Sequence, residues 1–180
     1  MIEKNEGNEG DNMDTLDAIR TRRSIRKYKD QKIPDEIVQK ILAAAMAAPS
    51  AGNQQPWHFV IIKDKRLLYE IPKFHQYSAM CREAALAILV CGDPEAAKHV
   101  GFWTQDCSAA TQNILLAAHS LGIGAVWVGI YPEQDGNKFR KLLSIPQKII
   151  PFSLIPMGYP NEEYKKLDRF KRERVHDGKW

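Results

Sequence analysis

The segment AALAILVCG, Ala84 to Gly92, restricts the fold more than any other stretch of this chain. Eight apolar residues follow one another up to Cys91, so no face suits water and the segment must be buried, as a strand or as a helix. Periodicity does not separate the two. The shortness of the run, and the turn-forming Gly92, Asp93 and Pro94 after it, favour a strand. The run also falls far short of the roughly 20 residues that a membrane-spanning helix needs, so no membrane span is expected.

A buried strand needs cover, and the flanking segments can supply it. Trp103 to Leu121, with Ala110, Ile114, Ala117 and Leu121 at helical spacing, predicts a long, largely buried helix that Gly122 ends. Pro34 opens a second helix, in which Ile37, Ile41 and Ala45, flanked by Val38 and Leu42, form a stripe that stops at Pro49. Asp14 suits the cap of a short helix with Leu16 and Ile19 on one face, and further helices are expected from Lys65 to Lys73 and from Glu133 to Leu143. WHFVIIK, GAVWVGI and FSLIPMG read as strands, so the whole is a set of helices packed on a sheet.

At 180 residues, 44% hydrophobic and 27% charged, the chain can bury one core. Residues 14–180 are expected to form a single domain behind a disordered leader, 1–13, whose acidic and amide groups lack the basic start and apolar stretch of a secretory signal. Cys81, Cys91 and Cys107 lack CxxC spacing and lie in apolar or helical surroundings, as reduced packing residues of a cytoplasmic protein would.

Charge is unevenly spread. The chain carries −4 up to Asp14, +5 from Arg20 to Asp30, and +4 from Lys165 to Trp180. Two cationic segments near opposite ends of the sequence could meet in the fold around an anion. The tail also carries Val175 and Trp180, which are costly to leave in water, so it reads as an arm that docks on its own fold or on a partner subunit.

Several chemistries find no support. GIGAVWVG has its glycines after a helix and before a strand, the reverse of the dinucleotide fingerprint, and there is no GxxxxGK[ST], HExxH or paired CxxC. No metal is therefore expected. His58, His75, His99, His119 and His176 are scattered and read as packing or surface residues. What remains is the basic stretch RTRRSIRKY and the loop PSAGNQQP. Guanidinium groups donate paired hydrogen bonds to phosphate oxygens and a hydroxyl adds another, so Arg22, Arg23, Ser24 and Arg26 suit a phosphomonoester carrying a ring system. In the loop, Ser50, Asn53, Gln54 and Gln55 can donate and accept along the edge of a heterocycle, and the adjacent glutamines have no evident turn-forming purpose.

These segments carry a resemblance. RRSIRKY, APSAGNQQPWHFVII, QDCSAATQNILLAAHSLGIGAVWVGIYP and DRFKRERVHDGKW, in this order, resemble the FMN-dependent nitroreductase family from about Asp14 to Trp180. The resemblance implies an α+β, three-layer fold with a central, mostly antiparallel sheet flanked by helices. It also implies a homodimer in which arms 165–180 are exchanged and FMN lies at the interface. By motif, Arg22, Arg23, Ser24 and Arg26 contact phosphate, ribityl and the pyrimidine side of the ring, and Pro49, Ser50, Ala51 and Asn53 come from the other subunit. Val128 and Gly129 lie near the central ring, and Arg169 binds the phosphate. A second serine is more usual where Ala51 stands, which removes one side-chain hydrogen bond from the expected set.

The implied activity passes hydride from NADH or NADPH through FMN to a small electron-poor acceptor, a nitroaromatic or a quinone, in a flavin-centred reaction that needs no acid–base side chain. Arg26 beside the pyrimidine edge would ease reduction of the ring. Dehalogenation, enone reduction and oxidation of a peptide-bound heterocycle are the alternatives on the same fold. A lid from Phe74 to Met80 and Lys98 to Gln105 would choose among them. A nucleic-acid-binding module is the non-enzymatic alternative, but Trp57, Trp103 and Trp127 lie in apolar segments rather than among the exposed bases, so no nucleic acid is expected.

Overall fold

The computed structural model describes residues 13–96, 99, 101–132, 135–163 and 167–180. The expected leader, apart from Met13, lies outside them. So do Glu133 of one expected helix, Lys98 of the expected lid, and Lys165 and Lys166 of the expected arm. In chain order the elements are α1 Thr15–Thr21, α2 Asp35–Met46, β1 Trp57–Ile62, α3 Lys65–Glu70, β2 Leu86–Gly92, α4 Trp103–Ser120, β3 Gly124–Ala125, β4 Val128–Gly129, α5 Gly136–Leu143 and β5 Ile150–Gly158.

The apolar run is a strand, β2, and it lies inside the sheet. It pairs antiparallel with β1 on one side and β5 on the other. Leu86, Ile88 and Val90 face a core built with Ile41 and Ala45 of α2 and Ala110, Ile114 and Ala118 of α4. Ala87, Leu89 and Cys91 face a second core with Leu68 and Ile71 from the α3 region and Phe139 of α5. Successive strand residues point to opposite faces, so a strand covered on both sides must be apolar throughout. Each fully buried Leu or Ile contributes about 1.5–3 kcal/mol. The result is the three-layer α+β arrangement, with a mostly antiparallel sheet between helices.

The strand order is β1-β2-β5-β3, with β4 also on β5. GAVWVGI is not the single strand expected: it pairs only at Gly124–Ala125 and Val128–Gly129, in unbroken register with β5. The gap lies opposite Pro156, which has no N–H to donate, and the Val126 N–H reaches the Pro156 carbonyl only at 3.4 Å. The helix α2 ends at Met46 with Ala47 as its cap, just short of Pro49, which disfavours helical geometry at Ala48.

Asp14 caps α1 as expected, its Oδ2 accepting from the Leu16 N–H at 3.0 Å. Leu16 and Ile19, however, are exposed, and only Ala18 of that helix is buried. Val175 and Trp180 are exposed too, so within one chain these two side chains do not dock on the fold. Among the described residues no helix is long and apolar enough to cross a membrane.

Candidate functional site

The basic stretch is laid along the sheet by its backbone. The Ile25 N–H donates to Ala125 O at 3.0 Å and the Lys29 N–H to Tyr159 O at 2.9 Å, while Lys27 O accepts from Asn161 N–H at 2.9 Å. Ile25 and Tyr28 thereby turn inward and are buried, and the Tyr28 hydroxyl donates to Ile25 O and Pro156 O. Gly124 is needed for this approach: a Cβ there would lie 2.7 Å from Ile25 Cγ2. That packing, and not phosphate binding, accounts for this glycine of GIGAVWVG. Ser24 before Ile25, and Arg26 and Lys27 between the two buried residues, are exposed, and the Arg26 and Lys27 N–H groups both donate to the Glu162 carboxylate.

Just before this ladder the chain leaves α1, and a cleft of about 820 Å³ opens there. Arg20, Arg22 and Arg23 line it from one side, and Asp168, Arg169 and Phe170 of the tail from the other. The two cationic segments therefore meet. Burial, then Arg169, then Arg23 lower the pKa of the Arg22 guanidinium, as expected of cations crowded together. Arg23 Nη1 donates to the carbonyls of Arg20, in the last turn of α1, and of Arg22, its C-cap. His119, near the end of α4, lies behind the cluster with Nε2 2.8 Å from Thr21 Oγ1. That hydroxyl already donates to Asp17 O, so His119 Nε2 is the donor to it. Burial, followed by Arg22 and Arg23, lowers the pKa of His119.

Arg26 belongs to a second cleft of about 450 Å³, with Tyr77, Met80, Trp127, Val128 and Gly129. A Cβ on Gly129 would meet nothing within 4 Å, so this backbone faces open space. Part of the expected lid, Gln76 to Met80, lines the same cleft. His75, at the start of this segment, is buried as a packing residue would be, and its Nε2 also lies 2.9 Å from Gly129 O. Its position within the lid was the only signal in the sequence.

The loop after α2 is built differently. Gly52, Asn53 and Gln55 have φ of 59°, 55° and 50°, the left-handed region that costs a side chain about 1 kcal/mol or more. Asp106 in the first turn of α4 holds the loop, its Oδ1 accepting from Ala51 N–H at 3.0 Å. Ser50 Oγ accepts from Gln55 N–H, and Asn53 Oδ1 accepts from Gln55 Nε2. Gln55 thus has a turn-forming role after all. Gln54 Oε1 and Asp106 Oδ2 are buried and meet no partner among the described residues.

Arg22, Arg23 and Arg169 are therefore together in one cleft, and Arg26, three residues on from Arg23, is with Val128 and Gly129 in a second. The segment with Pro49, Ser50, Ala51 and Asn53 is apart. Asp106, which holds it, and His119, behind the arginines, are 13 residues apart on α4, or about 20 Å along the axis. Among the described residues no three His, Cys, Asp or Glu side chains converge as a metal site would require.

Comparison with known proteins gives one answer. The profile described as the nitroreductase family matches residues 19–77 and 76–159. A protein of Methanothermobacter thermautotrophicus, provisionally named NADH dehydrogenase/NAD(P)H nitroreductase, is 54% identical over 162 residues, covering 89% of this chain and 85% of its own. The crystal structure of a Parabacteroides distasonis protein with the same provisional name superposes with a TM-score of 0.88 at 40% identity, covering 92% of this chain and 98% of its own. A Desulfovibrio desulfuricans structure, described as a nitroreductase in complex with FMN, superposes with a TM-score of 0.80 at 35% identity, covering 92% and 97%.

Proposed function

Because this chain belongs to the nitroreductase family, we propose that it binds FMN on the two clefts and transfers reducing equivalents from NADH or NADPH to a small electron-poor acceptor, a nitroaromatic or a quinone. The observation that carries this reading is the meeting of Arg22 and Arg23 with Arg169 across most of the chain length. The donor set fits a phosphomonoester: guanidinium groups offer paired N–H donors, and Ser24 adds an exposed hydroxyl. The open space over Gly129 fits a flat ring.

Arg22, Arg23 and Arg169 hold the phosphate, Ser24 donates to it or to the ribityl chain, and Arg26 stands at the pyrimidine edge. Val128 and Gly129 offer backbone to the central ring. The bound flavin supplies hydride uptake and electron release, and the protein supplies binding, orientation and a cationic surrounding. Loop residues Pro49, Ser50, Ala51 and Asn53 reach the ring from a second copy of the chain, which the length of α4 between the loop and the arginines favours. In this reading 14–180 is one functional unit and the tail after 165 reaches across to the partner, covering its exposed Phe170, Val175 and Trp180. Cys81, Cys91 and Cys107 are free and buried, and burial pushes each pKa up to about 12, so they serve as packing residues and take no part in the reaction.

Anaerobic titration with NADH and with NADPH tests the activity. Purified protein should be yellow, bleach on either titration, and recover its colour when a nitroaromatic or quinone is added. Colourless protein that gains no flavin spectrum with added FMN would refute the reading. Truncation before Asp168 should lower the dimer mass seen by light scattering and the FMN content; an unchanged dimer with full flavin content would refute the crossing tail.

A further inference from the structure

We propose that His75 is a positioning residue for the ring-facing backbone at Gly129, an inference that rests on the flavin reading above. The sheet supports this backbone poorly. β4 is only Val128–Gly129, the ladder before it is interrupted opposite Pro156, and directly after it the Ile130 and Tyr131 N–H groups share one acceptor, Phe152 O. The peptide at Gly129 therefore stands at the end of a short, isolated ladder, next to open space. One edge of the peptide that carries Gly129 O is held, by the Ile130 N–H on Phe152 O, and the carbonyl edge needs a tether of its own.

His75 provides that tether. Its ring is buried, 3% exposed, and Nε2 lies 2.9 Å from Gly129 O. A carbonyl only accepts, so Nε2 carries the proton. Nδ1 is buried and meets no partner among the described residues, so no second hydrogen bond orients the ring. Packing does so instead, through edge contacts with Phe139 at 6.0 Å and Tyr77 at 6.3 Å between ring centroids. The backbone of His75 is pinned as well: its N–H donates to Ile71 O at 3.1 Å, and its carbonyl accepts from the buried Ser78 hydroxyl at 2.7 Å. A rigid donor on a fixed support thus sets the plane of the Gly129 peptide. The same residue begins the segment that lines the cleft, so the cleft wall and the ring-facing backbone are held as one piece.

The test compares His75→Phe, which keeps an aromatic ring against Phe139 and Tyr77 but loses the donor, with His75→Gln, whose amide nitrogen can take the place of Nε2. The readouts are the FMN dissociation constant by flavin fluorescence, the midpoint potential of bound flavin, and the thermal unfolding midpoint. Wild type should bind FMN; His75→Phe should bind about tenfold more weakly with a shifted potential, and His75→Gln within about threefold of wild type with its potential restored. If both variants unfold like wild type and His75→Phe matches its affinity and potential, the inference fails while the flavin reading stands. Wild-type protein that takes up no FMN would overturn that reading, and this inference with it.

Discussion

The two ends of α4 solve the same problem by different means. At the C-terminal end, cations from α1 and the tail gather where the helix dipole is negative, and their shape is loosely specified: flexible guanidinium groups around an open cleft. The N-terminal end is built on hydrogen bonds. Asp106 accepts an N–H from a loop held in left-handed conformations, and the loop's own side chains bond one another. The first end is a gathering of like charges, which an anion would relieve. The second is shaped in advance by its own hydrogen bonds. Salt and charge changes should therefore act on the first end, and backbone changes on the second.

The sharpest way to break this contrast is at the arginines. Arg22→Ala removes a charge-assisted contact of about 1.5–3 kcal/mol, so FMN should bind about 10- to 100-fold more weakly, whereas Lys29→Ala should stay within about twofold. Added salt should weaken wild-type binding and narrow the difference. Equal dissociation constants for the two variants, measured by flavin fluorescence, would remove Arg22 from the site.

Next in size is the loop. Asp106→Ala leaves the Ala51 N–H without its acceptor and should lower unfolding stability by about 1–2 kcal/mol, while Asp106→Asn, which keeps an oxygen acceptor, should recover most of that. Urea unfolding at low and high salt measures both; a loss that salt abolishes would mean that charge, not geometry, governs this end. Gly52→Ala should cost about 1 kcal/mol, because φ of 59° suits glycine.

The smallest effect concerns pH. Since the folded state lowers the His119 pKa below its ordinary 6.5, the unfolded chain takes up that proton first as pH falls. Stability from this group is therefore full above 6.5 and declines as the pH drops below it. The unfolding midpoint of FMN-free protein should fall more between pH 7.5 and 5.5 in wild type than in His119→Asn. Parallel curves would show that the arginine cluster does not reach this histidine.

Much of this was legible because it was written in hydrophobicity. The uniform run at β2 had to be inside, and the stripes of α2 and α4 had to cover it. The split of GAVWVGI was not legible, since it arises from Pro156, some thirty residues away in sequence, lacking a donor at the facing position. Arg22, Arg23 and Arg169 could be matched by motif, and the fold does bring them together. His75, Asp106 and His119 were missed for a common reason: each acts by holding backbone or hydroxyl groups of a distant segment, and such contacts leave no local pattern. Leu16 and Ile19 show the converse, an apolar pair at helical spacing that the single chain leaves exposed.

The 18 residues of α4 also serve as a measuring rod. Adding or deleting one residue would turn its far end by about 100° and move it by about 1.5 Å, so Asp106 and His119 could no longer both face their segments. Side chains along this helix are exchangeable one at a time, but a change in its length would misalign both ends in a single event.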